Sequence, residues 1–283
     1  MEKRALGSTG EKLSIVGFGG ILVKDETAET SSRLVSQAVD RGINYFDVAP
    51  SYGNAEQMLG PALQPYRGKV FLACKTGKRT AAEAQAELEQ SLRNLRTDHF
   101  DLYQLHGVTK VEEVETAFGP GGAMETFERA KKKGQIRYIG FSAHSEEAAA
   151  ALMERYSFTS ILFPFNWAIW YRGGFGPATY ELARRKGVAR LALKTLAKRA
   201  WGEGEKHVWA KTWYMPVESY EEAKLAMRFT LTKDITAAVT PGHEQFLWWA
   251  CDAAQDLTPL SEEELEALKQ KAATLQVIFT RTA

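Results

Sequence analysis

Asp47, Tyr52, Lys75 and His106 are the residues whose types and spacing point to chemistry in this 283-residue chain. Asp47 sits at the end of the apolar run INYFDV (43–48), Lys75 ends VFLACK (70–75), and His106 ends FDLYQLH (100–106). Tyr52 follows Asp47 by five residues, directly before Gly53. A tyrosine near its ordinary pKa of about 10 is a poor acid at neutral pH. One nearby cation lowers such a pKa by roughly 1–3, so a lysine ammonium beside it favours the phenolate. Asp47 can hold Lys75 charged, and His106 can donate a hydrogen bond to a substrate oxygen. Together the four would polarise a carbonyl and protonate it, general acid catalysis typically worth about 10²–10⁴-fold. None of them carries a hydride, so carbonyl reduction needs a nicotinamide cofactor. Alone, each has a plainer role: a helix cap for Asp47, loop packing for Tyr52, a solvated charge for Lys75, a structural imidazole for His106. Their joint placement favours the chemical reading.

That placement depends on the elements carrying them. Eight short apolar runs occur, at 14–19, 43–48, 70–75, 100–106, 136–142, 160–165, 189–194 and 235–239. They are apolar on both faces, as fully buried parallel strands are. Helical patterns separate most of them: TAETSSRLVSQAVDRG with its glycine stop, TAAEAQAELEQSLRNLRT, AMETFERAKKKG, and 145–155, 176–186, 218–230, 243–254 and 261–275. Strict alternation predicts an α/β fold, a (β/α)8 TIM barrel forming one domain over residues 1–283. An open doubly wound sheet ranks second, since no GxGxxG follows the first run. KRALGSTGEKLS (3–14) reads as an N-terminal β-hairpin that closes the barrel bottom. A long irregular segment, about 197–217, carries Trp201, Trp209 and Trp213 after strand seven, and an extra helix ends the chain. In such barrels the site lies at the C-terminal ends of the strands, where the four residues fall.

Lys plus Arg number 36 against 35 Asp plus Glu, a net charge of +1. That balance gives no electrostatic footprint for nucleic acid or an anionic membrane. No stretch is long and apolar enough to span a bilayer, and MEKRALGSTG has no apolar signal core. Cys74 and Cys251 match no metal spacing and read as reduced thiols. A cytoplasmic protein with no metal is expected. Cys74 should face away from Lys75 as an inert filler.

LSIVGFGG, GINYFDVAPSYGNAEQMLG, FLACKTG, FDLYQLHG and GQIRYIGFSAH together resemble the aldo-keto reductase family. The resemblance implies hydride transfer between NAD(P)H and an aldehyde or ketone. Tyr52 would be the general acid, supported by Lys75, His106 and Asp47. It further implies cofactor contacts from Gly19, Ser142, Lys194, Thr195, Leu196 and Gly242, with NADPH expected and NADH possible. The second half departs from the family pattern. Ser142-Ala143 stands for the family's Ser-Asn, Leu162 for a glutamine, and Lys194-Thr195-Leu196 for an aromatic followed by Ser-Pro-Leu. No lysine or arginine lies between Pro241 and Gln255, where the family supplies cations to the 2′-phosphate of NADPH. Lys198 and Arg199 are substitutes for that role, or a solvated pair on a loop.

His144 lies near the mouth, where it could meet cofactor or substrate, but reads first as a helix cap or solvated side chain, and His99 and His207 read as turn and loop residues. The backbone N–H groups beside His243 can bind a phosphate whatever the side chain. Trp248 and Trp249 read as packing. The loop tryptophans, and Trp167 and Trp170, either wall a pocket or form a satellite core. If they wall it, the small-molecule carbonyl substrate is apolar or aromatic. Two other functions compete: a regulatory or sensor barrel with weakened cofactor binding, and a non-redox acid–base enzyme using Tyr52 and Lys75.

Overall fold

The chain opens with an antiparallel hairpin, β1 (Lys3–Ala5) paired with β2 (Lys12–Ser14), in the computed structural model, which describes residues 1–281. Seven strands follow: β3 (Val16–Gly19), β4 (Tyr45–Asp47), β5 (Phe71–Thr76), β6 (Phe100–Val108), β7 (Ile136–Ala143), β8 (Ser160–Phe163) and β9 (Ala189–Ala192). A second small hairpin, β10 (Ala197–Arg199) and β11 (Met215–Pro216), precedes β12 (Ala237–Val239). Strands β3 to β9 pair in order, and β12 closes the parallel barrel between β9 and β3. The expected barrel and both of its terminal additions are present. Thr282 and Ala283, which the expected domain range includes, lie outside the described residues.

Alternation along the strands sorts the side chains. Tyr45, Phe71, Ala73, Leu102 and Leu191 form the apolar cluster inside the barrel, while Phe46, Leu72, Cys74 and Tyr103 join the larger core under the helices. Lys75 therefore points opposite to Cys74, whose thiol meets Glu56 Oε1 at 3.5 Å. Leu6 and Leu13 of the N-terminal hairpin pack into the interior cluster and close its floor. Both are fully buried. Burial of each contributes roughly 1.5–3 kcal/mol, enough to hold a short hairpin in place.

The helices are α1 (Ala28–Asp40), α2 (Ala55–Leu63), α3 (Ala81–Asn94), α4 (Val111–Phe118), α5 (Ala123–Lys132), α6 (Glu146–Arg155), α7 (Trp167–Arg172), α8 (Pro177–Arg185), α9 (Tyr220–Leu231), α10 (Glu244–Ala253) and α11 (Glu262–Ala273). In α1, Thr27 caps the first turn by accepting from Thr30 N, and Ser31, Leu34, Val35 and Ala38 form its buried stripe. Three helices escape the sequence pattern: α2, α4 and α7. Helix α2 contains Gly60 and Pro61, neither of which favours a helix interior. A Cβ at Gly60 would lie 2.4 Å from Asn94 O and 2.7 Å from Leu95 Cα. Only glycine permits that close approach of α2 to the end of α3.

Candidate active site

Strands β4, β5 and β6 deliver Asp47, Lys75 and His106 to one end of the barrel, and the turn after β4 brings Tyr52 beside them. All four line a single cavity of about 200 Å³. Asp47 and Lys75 form an ion pair through Oδ1 and Nζ, with both side chains almost fully buried. Lys75 Nζ also donates to Val48 O at 3.3 Å. The other carboxylate oxygen, Asp47 Oδ2, accepts from Gln104 Nε2 at 3.0 Å and from Tyr45 Oη at 3.2 Å. Burial pulls the Lys75 ammonium downward, but Asp47 and then Tyr52 more than offset it, so its pKa stands above the ordinary lysine value.

The Lys75 ammonium lies 5.2 Å from the Tyr52 ring centre, and His106 meets that ring edge-on at 5.8 Å. The Tyr52 phenol is nonetheless held above its ordinary range: burial raises it more than Lys75 lowers it. This corrects the expected lowering by the lysine. A cation shifts a pKa only against the desolvation cost, and here desolvation is the larger. Burial, then the cations Lys75, Lys194 and Arg79, bring His106 down to about 3. Its imidazole is neutral at pH 7. Its Nδ1 lies 3.4 Å from Ser51 Oγ, and Arg79 Nη2 donates to its carbonyl at 2.7 Å.

Gly19, Ser142, Lys194 and Gly242 line the same cavity, as does Leu162. Ser142 Oγ accepts from Gly107 N at 2.8 Å and finds no acceptor for its own proton among the described residues. A Cβ at Gly19 would lie 2.1 Å from Thr240 O, so closure of β3 against β12 itself demands glycine there. Thr195 and Leu196 are not brought to the cavity. Both are buried, and Leu196 joins the core under the helices. The cause is the turn after β9. Asn166 Nδ2 donates to Lys194 O at 2.9 Å, Thr195 O at 3.3 Å and Ala197 O at 2.6 Å, which folds that segment inward behind Lys194.

His144 is neither a cap nor solvated. Ser145 caps α6, and His144 lines the cavity with Nε2 3.1 Å from Lys194 Nζ and its ring stacked on Phe279 at 5.4 Å. Burial foremost, then Lys194, brings its pKa down to about 2. Lys194 has φ +61°, a left-handed conformation rare outside glycine.

The segment after β9 supplies a wall of the cavity with Lys211, Thr212, Trp213 and Tyr214, which sequence reasoning did not single out apart from Trp213. The available signal was the length of that segment, since long loops tend to carry function. Lys211 Nζ donates to Leu22 O at 2.8 Å and to Glu26 at 2.7 Å, and Lys211 N donates to His243 Nε2 at 3.1 Å. The loop is thereby tied across the mouth. The tryptophans divide: Trp213 lines the cavity, Trp209 packs on Phe246 and Trp201 stacks on His207. Trp167 and Trp170 pack in the core, Trp170 against Tyr180 and Phe229. Lys198 pairs with Glu218 and Glu222, and Arg199 with Glu205. The segment is also less irregular than expected, since β10 and β11 pair at its base. Among the described residues no group of three or more His, Cys, Asp or Glu is placed to hold a metal ion. No helix of the described residues is long and apolar enough to cross a membrane.

A closed (β/α)8 barrel with an acid, a phenol, an ammonium and an imidazole at its C-terminal mouth defines the class of this protein. The sequence model described as the Aldo/keto reductase family matches residues 16–206, and the chain belongs to that family. It is 32% identical over 180 residues to an uncharacterized oxidoreductase, YqkF, of Bacillus subtilis, covering 59% of this chain and 56% of that protein. It is 31% identical over 163 residues to L-galactose dehydrogenase of Arabidopsis thaliana, covering 50% of this chain and 48% of that one. The chain thus spans about half the length of the curated relatives it matches. Its fold superposes on an aldo-keto reductase from Bacillus halodurans in holo form with a TM-score of 0.75 at 26% identity, covering 97% of this chain and 98% of that structure.

Proposed function

We propose that the protein is an NAD(P)H-dependent carbonyl reductase in which Tyr52 gives a proton to the substrate oxygen. The observation that carries this is the convergence of Tyr52, Lys75, His106 and Asp47 on one cavity. A phenol held above its ordinary range is protonated at neutral pH and is the form an acid requires. Lys75, kept charged by Asp47, stabilises the phenolate left behind. Neutral His106 keeps a ring N–H to orient the carbonyl oxygen. A bound nicotinamide dinucleotide supplies the hydride.

The residues present fit such a cofactor. Ser142 has an uncommitted hydroxyl proton for an amide oxygen. Helix α10 begins at the cavity rim without a side-chain cap, so its first N–H groups and its dipole suit a phosphate. The family resemblance favours NADPH. The pairing of Lys198 and Arg199 with glutamates argues against their reading a 2′-phosphate and favours acceptance of NADH. The whole chain, residues 1–283, is read as one catalytic domain acting on a small carbonyl compound.

Tryptophan fluorescence of the purified protein, titrated with NADPH and with NADH, tests the reading, followed by a panel of aldehydes and quinones. Micromolar binding of either dinucleotide with turnover of a carbonyl supports it. Absence of binding to both overturns it.

A further inference from the structure

We propose that Lys194, oriented by His144, is an anion subsite of the substrate cavity, so that the preferred substrate is a small carbonyl compound carrying a carboxylate. The inference rests on the reductase reading and assigns that site its substrate class.

The first argument is charge. Three ammonium groups line the cavity: Lys75, Lys194 and Lys211. Lys75 is matched by Asp47 and Lys211 by Glu26. Lys194 has no carboxylate partner among the described residues. Its neighbours are His144 Nε2 at 3.1 Å and the rings of Trp213 and Phe279, whose centres lie 5.4 and 5.8 Å from Nζ. A cation on an apolar wall is costly unless something pairs with it. A ligand with one negative charge leaves the cavity balanced.

The second argument is orientation. Neutral His144 accepts one ammonium proton at Nε2, which leaves two N–H donors for a ligand. The imidazole itself is fixed by stacking on Phe279, and Phe279 stacks in turn on Phe175 at 5.2 Å. The third argument is backbone. Lys194 is held at φ +61° by the three carbonyl contacts of Asn166. Strained positions of this kind persist where the surrounding structure over-determines them, and they cluster at ligand sites. Burial and Lys75 hold the Lys194 pKa down to about 7, which a bound anion would reverse.

A dinucleotide phosphate is the competing source of negative charge. The uncapped start of α10 already offers donors for it, so Lys194 is surplus to that need. Lys194 also shares a cavity of only about 200 Å³ with Tyr52, within the span of a small substrate.

The test compares the three carboxybenzaldehydes with benzaldehyde. The best of the three should exceed benzaldehyde at least tenfold in kcat/KM. That ratio should collapse in Lys194→Met and largely persist in Lys194→Arg. A ratio near one in the wild type overturns the subsite, as does a ratio that survives Lys194→Met. Loss of dinucleotide affinity in Lys194→Met with the ratio intact also overturns it, assigning the cation to the cofactor. Failure of every aldehyde with either dinucleotide overturns the reductase reading instead. The subsite is then tested by fluorescence binding of benzoate against benzamide to the wild type, which also serves if Lys194→Met does not fold. Tenfold tighter benzoate binding supports it, and equal binding overturns it.

Discussion

The Lys75 ammonium lies 5.2 Å from the centre of the Tyr52 ring, and the carboxylate that pairs with it, Asp47, is almost fully buried and is held on its other oxygen by Gln104 and Tyr45. The cation therefore faces the phenol while its counter-ion is fixed by three partners. Removing the phenolic hydroxyl isolates its role. Tyr52→Phe should lower carbonyl reduction by about 10²-fold or more. Dinucleotide affinity, read by fluorescence titration, should change less than about threefold. Equal loss of both would make Tyr52 a structural residue.

Asp47 and Lys75 are both almost fully buried, so breaking the pair from one side strands a charge. Asp47→Asn should destabilise the fold by about 3–5 kcal/mol. Adding Lys75→Met should restore part of that loss, although activity stays absent. Urea unfolding of the wild type, the single variant and the double variant measures the coupling. A double variant less stable than Asp47→Asn would rule out a stranded cation as the cause.

Lys194 titrates near pH 7 because burial, and secondarily Lys75, favour its neutral form. Below that pH it is an ammonium, and above it an amine. Benzoate binding should therefore be strongest below about pH 7 and weaken as pH rises. The other groups facing it hold one charge state from pH 5 to 9: Lys75 is raised, His106 and His144 lie at about 3 and about 2, and Tyr52 and Tyr214 are raised. The unfolded lysine keeps its proton to about 10.5, so the folded state gains stability between pH 7 and 10.5. Lys194→Met should lack that gain. Benzoate affinity that stays flat from pH 5 to 9 would exclude Lys194 as the titrating group.

Gly60→Ala places a methyl against Asn94 O and Leu95 Cα at less than contact distance. Helix α2 must shift from α3, at a cost of roughly 1–3 kcal/mol. The urea midpoint should fall by the corresponding amount while the denaturant slope holds. An unchanged midpoint would show that α2 moves without resistance.

Asp47, Lys75 and His106 were legible in the sequence because each falls near the end of an apolar run, and parallel strands bring such ends to one mouth. Tyr52 was legible from its distance to Asp47. His144 was legible only as a residue near the mouth, because it follows Ser142 by two residues and the course of the chain past a strand end leaves no periodic trace. Lys211 and Tyr214 lie in a segment whose path is set by distant contacts with Leu22 and His243 rather than by local pattern. The net shift of Tyr52 was misread because the sequence shows a neighbouring lysine but not the depth of burial. Thr195 and Leu196 were assigned through the family resemblance, and the inward turn held by Asn166 keeps them off the cavity wall.

The tie between Lys211 and the opposite rim also has a meaning in time. A cavity of about 200 Å³ is smaller than the roughly 300–1,000 Å³ of usual small-molecule sites. On the reductase reading, a dinucleotide passes the segment that Lys211 ties to Leu22 O, Glu26 and His243. On that reading, entry and exit require those bonds to part, an opening of the kind that runs on microseconds to milliseconds. If that opening sets the pace, a more viscous solvent should slow carbonyl turnover in proportion, and turnover independent of viscosity would exclude it.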